Sequence, residues 1–411
     1  MAQNRPMKKA LRYAVPAAVA GAAIATVGLV PALASSDGAP DLPGITAEQL
    51  VAKIASSEAE QLSGTVKITT DLGLPALPGT GRGGGREGAG EGADPQAKLM
   101  ELASGTHTLR VAVDGPDRQR VSVVEEAAEY TLVRNGKDVW AYDSAANAAH
   151  HTVLPEGAGD AAPEEASRGL EKATPQKAAQ EVLAAVDGTT SVTVDGTAKV
   201  AGQDAYQLLV RPKQPESTVG SVRIAVDADS GVPLKFTLTP RDGGKAAIDV
   251  GFTEVDFAKP PADTFEFTPP QGAEVTEERP EKPGDGPREE PRGGHEGHGL
   301  PSGLEVVGSG WGSVAELRMP GGRADAPGGT DGAKGPDGAR AAEAQRFLDG
   351  LTDEVGGDFG TGRVFSTRLV NALITDDGTV YVGAVTKEGL VKAAEAAEKA
   401  DRDGTRPGSA G

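Results

Sequence analysis

Cysteine is absent from all 411 residues. That excludes disulfides, thiolate metal sites, a cysteine nucleophile and a lipid-modified N-terminal cysteine, so stability has to come from burial and no acyl anchor can form. Basic residues are scarce relative to acidic ones, with 41 Lys and Arg against 60 Asp and Glu and a net charge of −19. Phosphate backbones and anionic membrane surfaces are bound through Lys and Arg clusters, so nucleic acid is not an expected partner. The acidity reads as solubility outside the cytoplasm rather than as a dedicated basic partner.

Catalytic and metal-binding patterns are also missing. No G-x-S-x-G elbow or phosphate-binding loop occurs. Of the five histidines, His295-Glu296-Gly297-His298 lacks the spacing that puts two imidazoles on one helical face and lies in a Pro/Gly stretch, where a solvated tract is the simpler reading. His150 and His151 point to opposite faces of a strand, and His107 stands alone. Gly79-x-Gly81-x-x-Gly84 matches a dinucleotide fingerprint formally, but without the strand-turn-helix context that gives the motif its meaning. With sixty acids, neighbouring carboxylates are inevitable and argue for nothing. No enzyme, metal or cofactor is expected, and an extracytoplasmic enzyme is the weakest of three functional readings.

What is present begins with an export signal. Arg5, Lys8, Lys9 and Arg12 precede an apolar run from Ala14 to Leu33 that ends in Ala32-Leu33-Ala34, the layout of a cleaved secretory peptide, with an uncleaved anchor as the alternative. Its removal takes away four basic residues and leaves a charge of −23.

Periodicity then predicts a helix from Thr46 to Leu62, capped by Thr46 with Gln49 three residues on, and a strand through Val66, Ile68 and Thr70. Asp94-Pro95 opens a short helix through Leu102. From residue 106 the period is two: Leu109, Val111 and Val113; Val121 and Val123; Tyr130 and Leu132; then Lys137 to Asp143 and Thr152 to Leu154. Asp114-Gly115-Pro116 and Asn135-Gly136 mark hairpins between them. Thr174-Pro175 opens a helix to Val186. A second run of strands follows, through Val192 and Val194; Tyr206, Leu208 and Val210; Val222, Ile224 and Val226; Leu234, Phe236 and Leu238; Ile248, Val250 and Phe252. About ten strands and few helices describe a large curved antiparallel sheet, covered by the helices at 46 and 174, that can leave an apolar cavity between the layers.

The expected organisation is a signal peptide over 1–34, a linker over 35–45, a β-rich domain over 46–275 with a Gly-rich insertion at 73–93, and a Pro/Glu/Arg/Gly linker over 276–303. A small α+β module over 304–400 carries a low-complexity insertion at 320–338, and 401–411 is a tail. Within the module the pattern predicts a strand in 304–311, a helix over 341–352, a hairpin over 363–383 turning at Asp377-Gly378, and a helix over 387–399. The unit is marginal alone and should dock on the main domain.

Several segments carry a family resemblance: Leu62-Ser63-Gly64-Thr65-Val66; Val139-Trp140-Ala141-Tyr142-Asp143; Val200-Ala201-Gly202 with Ala205-Tyr206; Val226-Asp227 with Val232-Pro233-Leu234; and Phe252-Thr253-Glu254-Val255 leading to 265–273 (FEFTPPQGA). In their order and spacing the stretch from Leu62 to Val275 resembles the LolA/LolB/RseB/LppX superfamily, and more closely its Gram-positive branch of sporulation-type outer proteins. The resemblance implies a mainly β (α+β) antiparallel half-barrel closed by helices, with an apolar cavity for acyl chains. The insertion at 73–93 and the module at 304–400 are departures from that pattern.

The expected role is an exported, monomeric carrier of an acyl lipid or lipoprotein in the cell envelope. The alternative is an RseB-like sensor that contacts a membrane protein partner. The candidate lining residues are Val66, Ile68, Leu109, Val111, Val113, Val121, Val123, Leu208, Val210, Ile224, Val226, Phe236 and Leu238. Stripes of this kind are more often plain core, so the lining reading competes with that one. Trp140 and Tyr142 read as core or rim.

Overall fold

The computed structural model describes residues 39–57, 60–73, 102, 104–125, 127–154, 174–278, 304–318 and 350–403. The export signal, the Gly-rich insertion past Gly73, the helix expected before Leu102 and nearly all of the helix expected over 341–352 lie outside these residues.

Helix α1 (Ala47–Ala55) starts where the Thr46 hydroxyl accepts from the Gln49 amide while the Gln49 side chain accepts from the Thr46 amide, a reciprocal cap that satisfies two otherwise orphan donors. It ends well before the expected Leu62, because the chain is already extended from Gln61. β1 (Gln61–Thr70) is the centre of a twelve-stranded sheet. On one side of it lie β2 (Gly105–Asp114), β3 (Arg118–Val124), β4 (Glu129–Asn135), β5 (Asp138–Asp143), β6 (Ala148–Val153) and β12 (Glu274–Glu278), in that order. On the other lie β11 (Ile248–Asp256), β10 (Pro233–Pro240), β9 (Val219–Asp227), β8 (Gln203–Pro212) and β7 (Thr190–Val200). Helix α2 (Pro175–Ala184) is capped by the Thr174 side chain, with proline at its first turn.

Every strand pair in this sheet is antiparallel except β12 with β6, which is parallel. Two expectations are therefore corrected: the sheet has twelve strands rather than about ten, and one edge is parallel. β12 reads EVTEE, without apolar alternation, so its pairing is set by the chain returning alongside β6 and not by a buried face. β7 approaches β11, with three strands between them in the sheet, so this half curls strongly. At the centre a bulge between Thr65 and Val66 shifts the β1–β11 register, and Gly64 sits where a Cβ would collide with the Glu254 carbonyl and the Phe252 ring.

A second, six-stranded antiparallel sheet has the order β13 (Leu304–Val307), β14 (Val314–Arg318), β18 (Thr379–Gly383), β17 (Asn371–Thr375), β16 (Gly360–Phe365), β15 (Thr352–Gly357). Helix α3 (Lys387–Arg402) covers one face, burying Leu390, Ala393, Ala394 and Ala397 against Val314, Val364, Leu373 and Tyr381. Here too the expectation is corrected. Arg363 belongs to β16 and not to the hairpin at Asp377-Gly378, Thr352 opens a strand, and β14 and β15 are additions.

Candidate functional site

Residues that face each other across antiparallel strands share a face of the sheet. Ile68 stands opposite Val250, Val250 opposite Phe236, Phe236 opposite Ile224, and Ile224 opposite Leu208. In the other direction Val66 faces Leu109 and Leu109 faces Val123, while Leu62 faces Val113 and Val111 faces Val121. Val210 faces Val222, Val222 faces Leu238, and Val226 faces Tyr206. All thirteen candidate residues thus share one face, the inner face on which α1 and α2 pack.

They are divided between two clusters. Val66, Ile68, Leu109, Val111, Val121 and Val123 are buried in the first, with Val113 packed against it. Leu208, Val210, Ile224, Val226 and Phe236 are buried in the second with Leu50 and Ile54 of α1 and Ala179 of α2, and Leu238 packs against them. The second cluster is tightly buried, with Leu50, Leu208, Val210, Ile224 and Val226 wholly shielded from solvent. Beside the first, a cavity of about 240 Å³ opens between the sheet and the helices. Its floor is Leu62, Val111, Val113, Val121 and Phe252, and its helical side is Ile54, Thr174, Gln176, Lys177 and Gln180. Three of the thirteen candidates, Val111, Val113 and Val121, line this cavity.

The polar side of this cavity was not read from the sequence. Gln176, Lys177 and Gln180 lie beside the apolar Ala179, Val182 and Leu183 of α2 and reach the mouth from the same turns. Among the described residues no acid lines the cavity, and the exposed Lys177 is the one cation in a chain of net charge −19. An apolar floor with one ammonium group at the mouth suits an amphiphile with an anionic head.

A larger depression of about 670 Å³ lies on the opposite face, lined by Ser63, Thr65, Arg110, Arg120, Ser122, Glu129, Asp263 and Thr264. Its hydroxyls and mixed charges cannot shield methylene groups from water at a net gain, so size does not make it the candidate. On that same face Trp140 stacks on His151 at 4.0 Å, and His151 bonds Asp138 at 2.9 Å, a structural arrangement at the rim. Among the described residues no group of three or more His, Asp or Glu could hold a metal ion, and no helix is long and apolar enough to cross a membrane.

Comparison with known proteins gives a family match over residues 94–277, to a family described as "Predicted periplasmic protein (DUF2092)". Among curated proteins, the outer-membrane lipoprotein carrier proteins of Vibrio campbellii and Vibrio parahaemolyticus are 38% and 36% identical over 77 residues. The match covers 19% of this chain and spans 36% of the length of those relatives. Among solved structures, the Pseudomonas aeruginosa MucA/MucB complex aligns at 16% identity over 85% of this chain and 96% of that one, with a TM-score of 0.37. A LolA superfamily protein from Nitrosomonas europaea aligns at 12% identity over 55% of this chain and 99% of its own, with a TM-score of 0.21. Overlaps of that quality say nothing about function.

Proposed function

We propose that the mature chain is an extracytoplasmic carrier of the LolA/RseB superfamily that shields the acyl chain of a lipid or lipoprotein on the inner face of its half-barrel, acting as a monomer. The observation that carries this is the cavity beside α2, with its apolar floor of Leu62, Val111, Val113, Val121 and Phe252 and with Lys177 at its mouth. In this reading residues 1–34 direct export and residues 46–275 hold the ligand. The match to a predicted periplasmic family over 94–277 and the short match to lipoprotein carriers support it.

Each buried methylene contributes about 0.8 kcal/mol, so six of them give roughly 5 kcal/mol, or about millimolar binding before any headgroup contact. At about 240 Å³ the cavity lies below the range of about 300–1,000 Å³ typical of drug-sized ligand sites. The open space therefore accommodates part of a chain, and tight retention calls for more of the inner face.

A second reading, a sensor of envelope lipid that contacts a membrane protein, is favoured by one observation: a half-barrel carrier has no need of a docked second sheet, and this chain has one. Native mass spectrometry of the exported protein, followed by solvent extraction, tests the carrier. An acyl lipid should co-purify with the wild type, be lost from Val113→Asp, and be weakened about tenfold in Lys177→Glu, with circular dichroism unchanged in both. A folded wild type that never retains an acyl lipid would overturn the carrier reading and leave the sensor.

A further inference from the structure

The second half of the inner face is closed by the C-terminal module. The loop between β16 and β17 crosses to the large sheet and buries Leu369, 4% exposed, in the cluster of Leu208, Val210, Ile224 and Phe236. Trp311, from the turn between β13 and β14, packs against the same cluster, and its indole N–H donates to Thr190 Oγ1 at 2.8 Å.

The chain fastens this insertion on both sides. The Arg368 amide donates to the Leu72 carbonyl at 3.0 Å, and its guanidinium donates to the Asp71 carbonyl at 3.0 Å, pairs with the Asp71 carboxylate at 2.9 Å and also donates to the Lys245 carbonyl. Thr218 Oγ1 donates to the Leu369 carbonyl itself. A β-bridge joins Ser217 to Val385, the Thr218 amide donates to the Ala384 carbonyl at 3.0 Å, and the Thr386 amide donates to the Glu216 carbonyl at 2.7 Å.

The strip that Leu369 closes is continuous with the open cavity. Phe236 of the second cluster stands opposite Val250 of the first cluster, and Ile54 belongs to the second cluster while also walling the cavity. From this geometry, and resting on the carrier reading above, we propose that the C-terminal module is the end stop of the ligand trough. Leu369, backed by Trp311, fixes the length of acyl chain the protein accepts, and lifting the 366–370 loop extends the site over Leu208, Ile224 and Phe236.

The end stop and the carrier reading are separable by two measurements on the full-length mature protein. The first is the binding of a graded series of straight-chain fatty acids to wild type, Leu369→Ala and Leu369→Met. Leu369→Ala should bind the longer members about tenfold more tightly than wild type, leave the shortest unchanged, and shift the longest chain accepted upward, while Leu369→Met keeps the wild-type profile. The second needs no lipid. Binding of the dye 8-anilinonaphthalene-1-sulfonate should rise several-fold in Leu369→Ala and in Arg368→Ala, the latter guarding against a variant that fails to fold. With no native cysteine in the chain, the disulfide between Ser217→Cys and Val385→Cys in the monomeric fraction spans the docked interface, and it should return the Arg368→Ala signal towards wild type.

An unchanged length profile in a Leu369→Ala protein that does bind fatty acid would overturn the end stop and spare the carrier. Unchanged dye binding in both variants would overturn it as well. A raised dye signal, restored by the disulfide, in a protein that binds no fatty acid in any form would sink the carrier reading and the end stop with it, leaving only a docked module that covers apolar surface.

Discussion

At the scale of single residues, the least expected feature is a wholly buried glutamate. Glu316 lies on β14 in the face that α3 covers and accepts from Arg318 Nε at 2.9 Å, with Asp401 on the far side of the guanidinium. Burial pushes the Glu316 carboxyl above its ordinary value of 4.5, and the hydrogen bond and charge of Arg318 counter only part of that rise. A carboxyl raised in the folded state contributes stability that is fully present below the unfolded value and is lost as pH rises through the folded one. The module should therefore lose this contribution as pH climbs from 4.5 upwards. Glu316→Gln keeps an acceptor for Arg318 but cannot ionise, so it should flatten this part of the pH dependence. Thermal unfolding followed by Trp311 fluorescence at a series of pH values checks it, and parallel pH profiles for the two proteins would show that the carboxyl does not titrate there.

At the scale of elements, what was legible in the sequence was what local chemistry dictates. Thr46 with Gln49 and Thr174 with Pro175 announced both helices of the cover. The turns at Asp114-Gly115-Pro116 and Asn135-Gly136 fell between strands whose alternation already marked a buried face. What was not legible was pairing imposed from a distance. β12, with the sequence EVTEE, is a strand because β6 is beside it, and β15, with the sequence TDEVGG, because β16 is. The half of the site contributed by α2 was hidden for the same reason, since Gln180 and Lys177 acquire meaning only once the sheet is opposite them. The legible part makes a prediction. The Thr46 cap holds α1, and α1 presents Ile54 to the cavity, so Thr46→Ala should cost about 1 kcal/mol. Faster amide exchange confined to Ala47–Ala55 would locate the loss in that helix, whereas a uniform increase across β1 to β11 would contradict it.

At the scale of the whole molecule, the question is whether the two sheets behave as one body. Six strands and one helix bury few apolar side chains, and a unit of that size is marginal alone. Its contacts with the large sheet are backbone hydrogen bonds, a buried leucine and a guanidinium bonded to two carbonyls and a carboxylate, so docking should supply much of its stability. The chain has two tryptophans, and they fall one to each part of this question: Trp140 on β5 of the large sheet, Trp311 at the docking surface. The Trp140→Phe protein, reported by Trp311, and the Trp311→Phe protein, reported by Trp140 and lacking only the indole bond to Thr190, should show coincident thermal transitions, the mark of one cooperative unit. Adding Arg368→Ala removes charged hydrogen bonds worth about 2 kcal/mol, and the Trp311 transition should then fall several degrees below that of Trp140, because the lost bonds hold the module and not the large sheet. Transitions that stay together after Arg368→Ala would mean that the remaining contacts, among them the Ser217–Val385 ladder, Leu369 and Trp311, suffice to hold the module. Transitions already apart in the native background would mean that the two sheets unfold independently and that docking adds little to the module's stability.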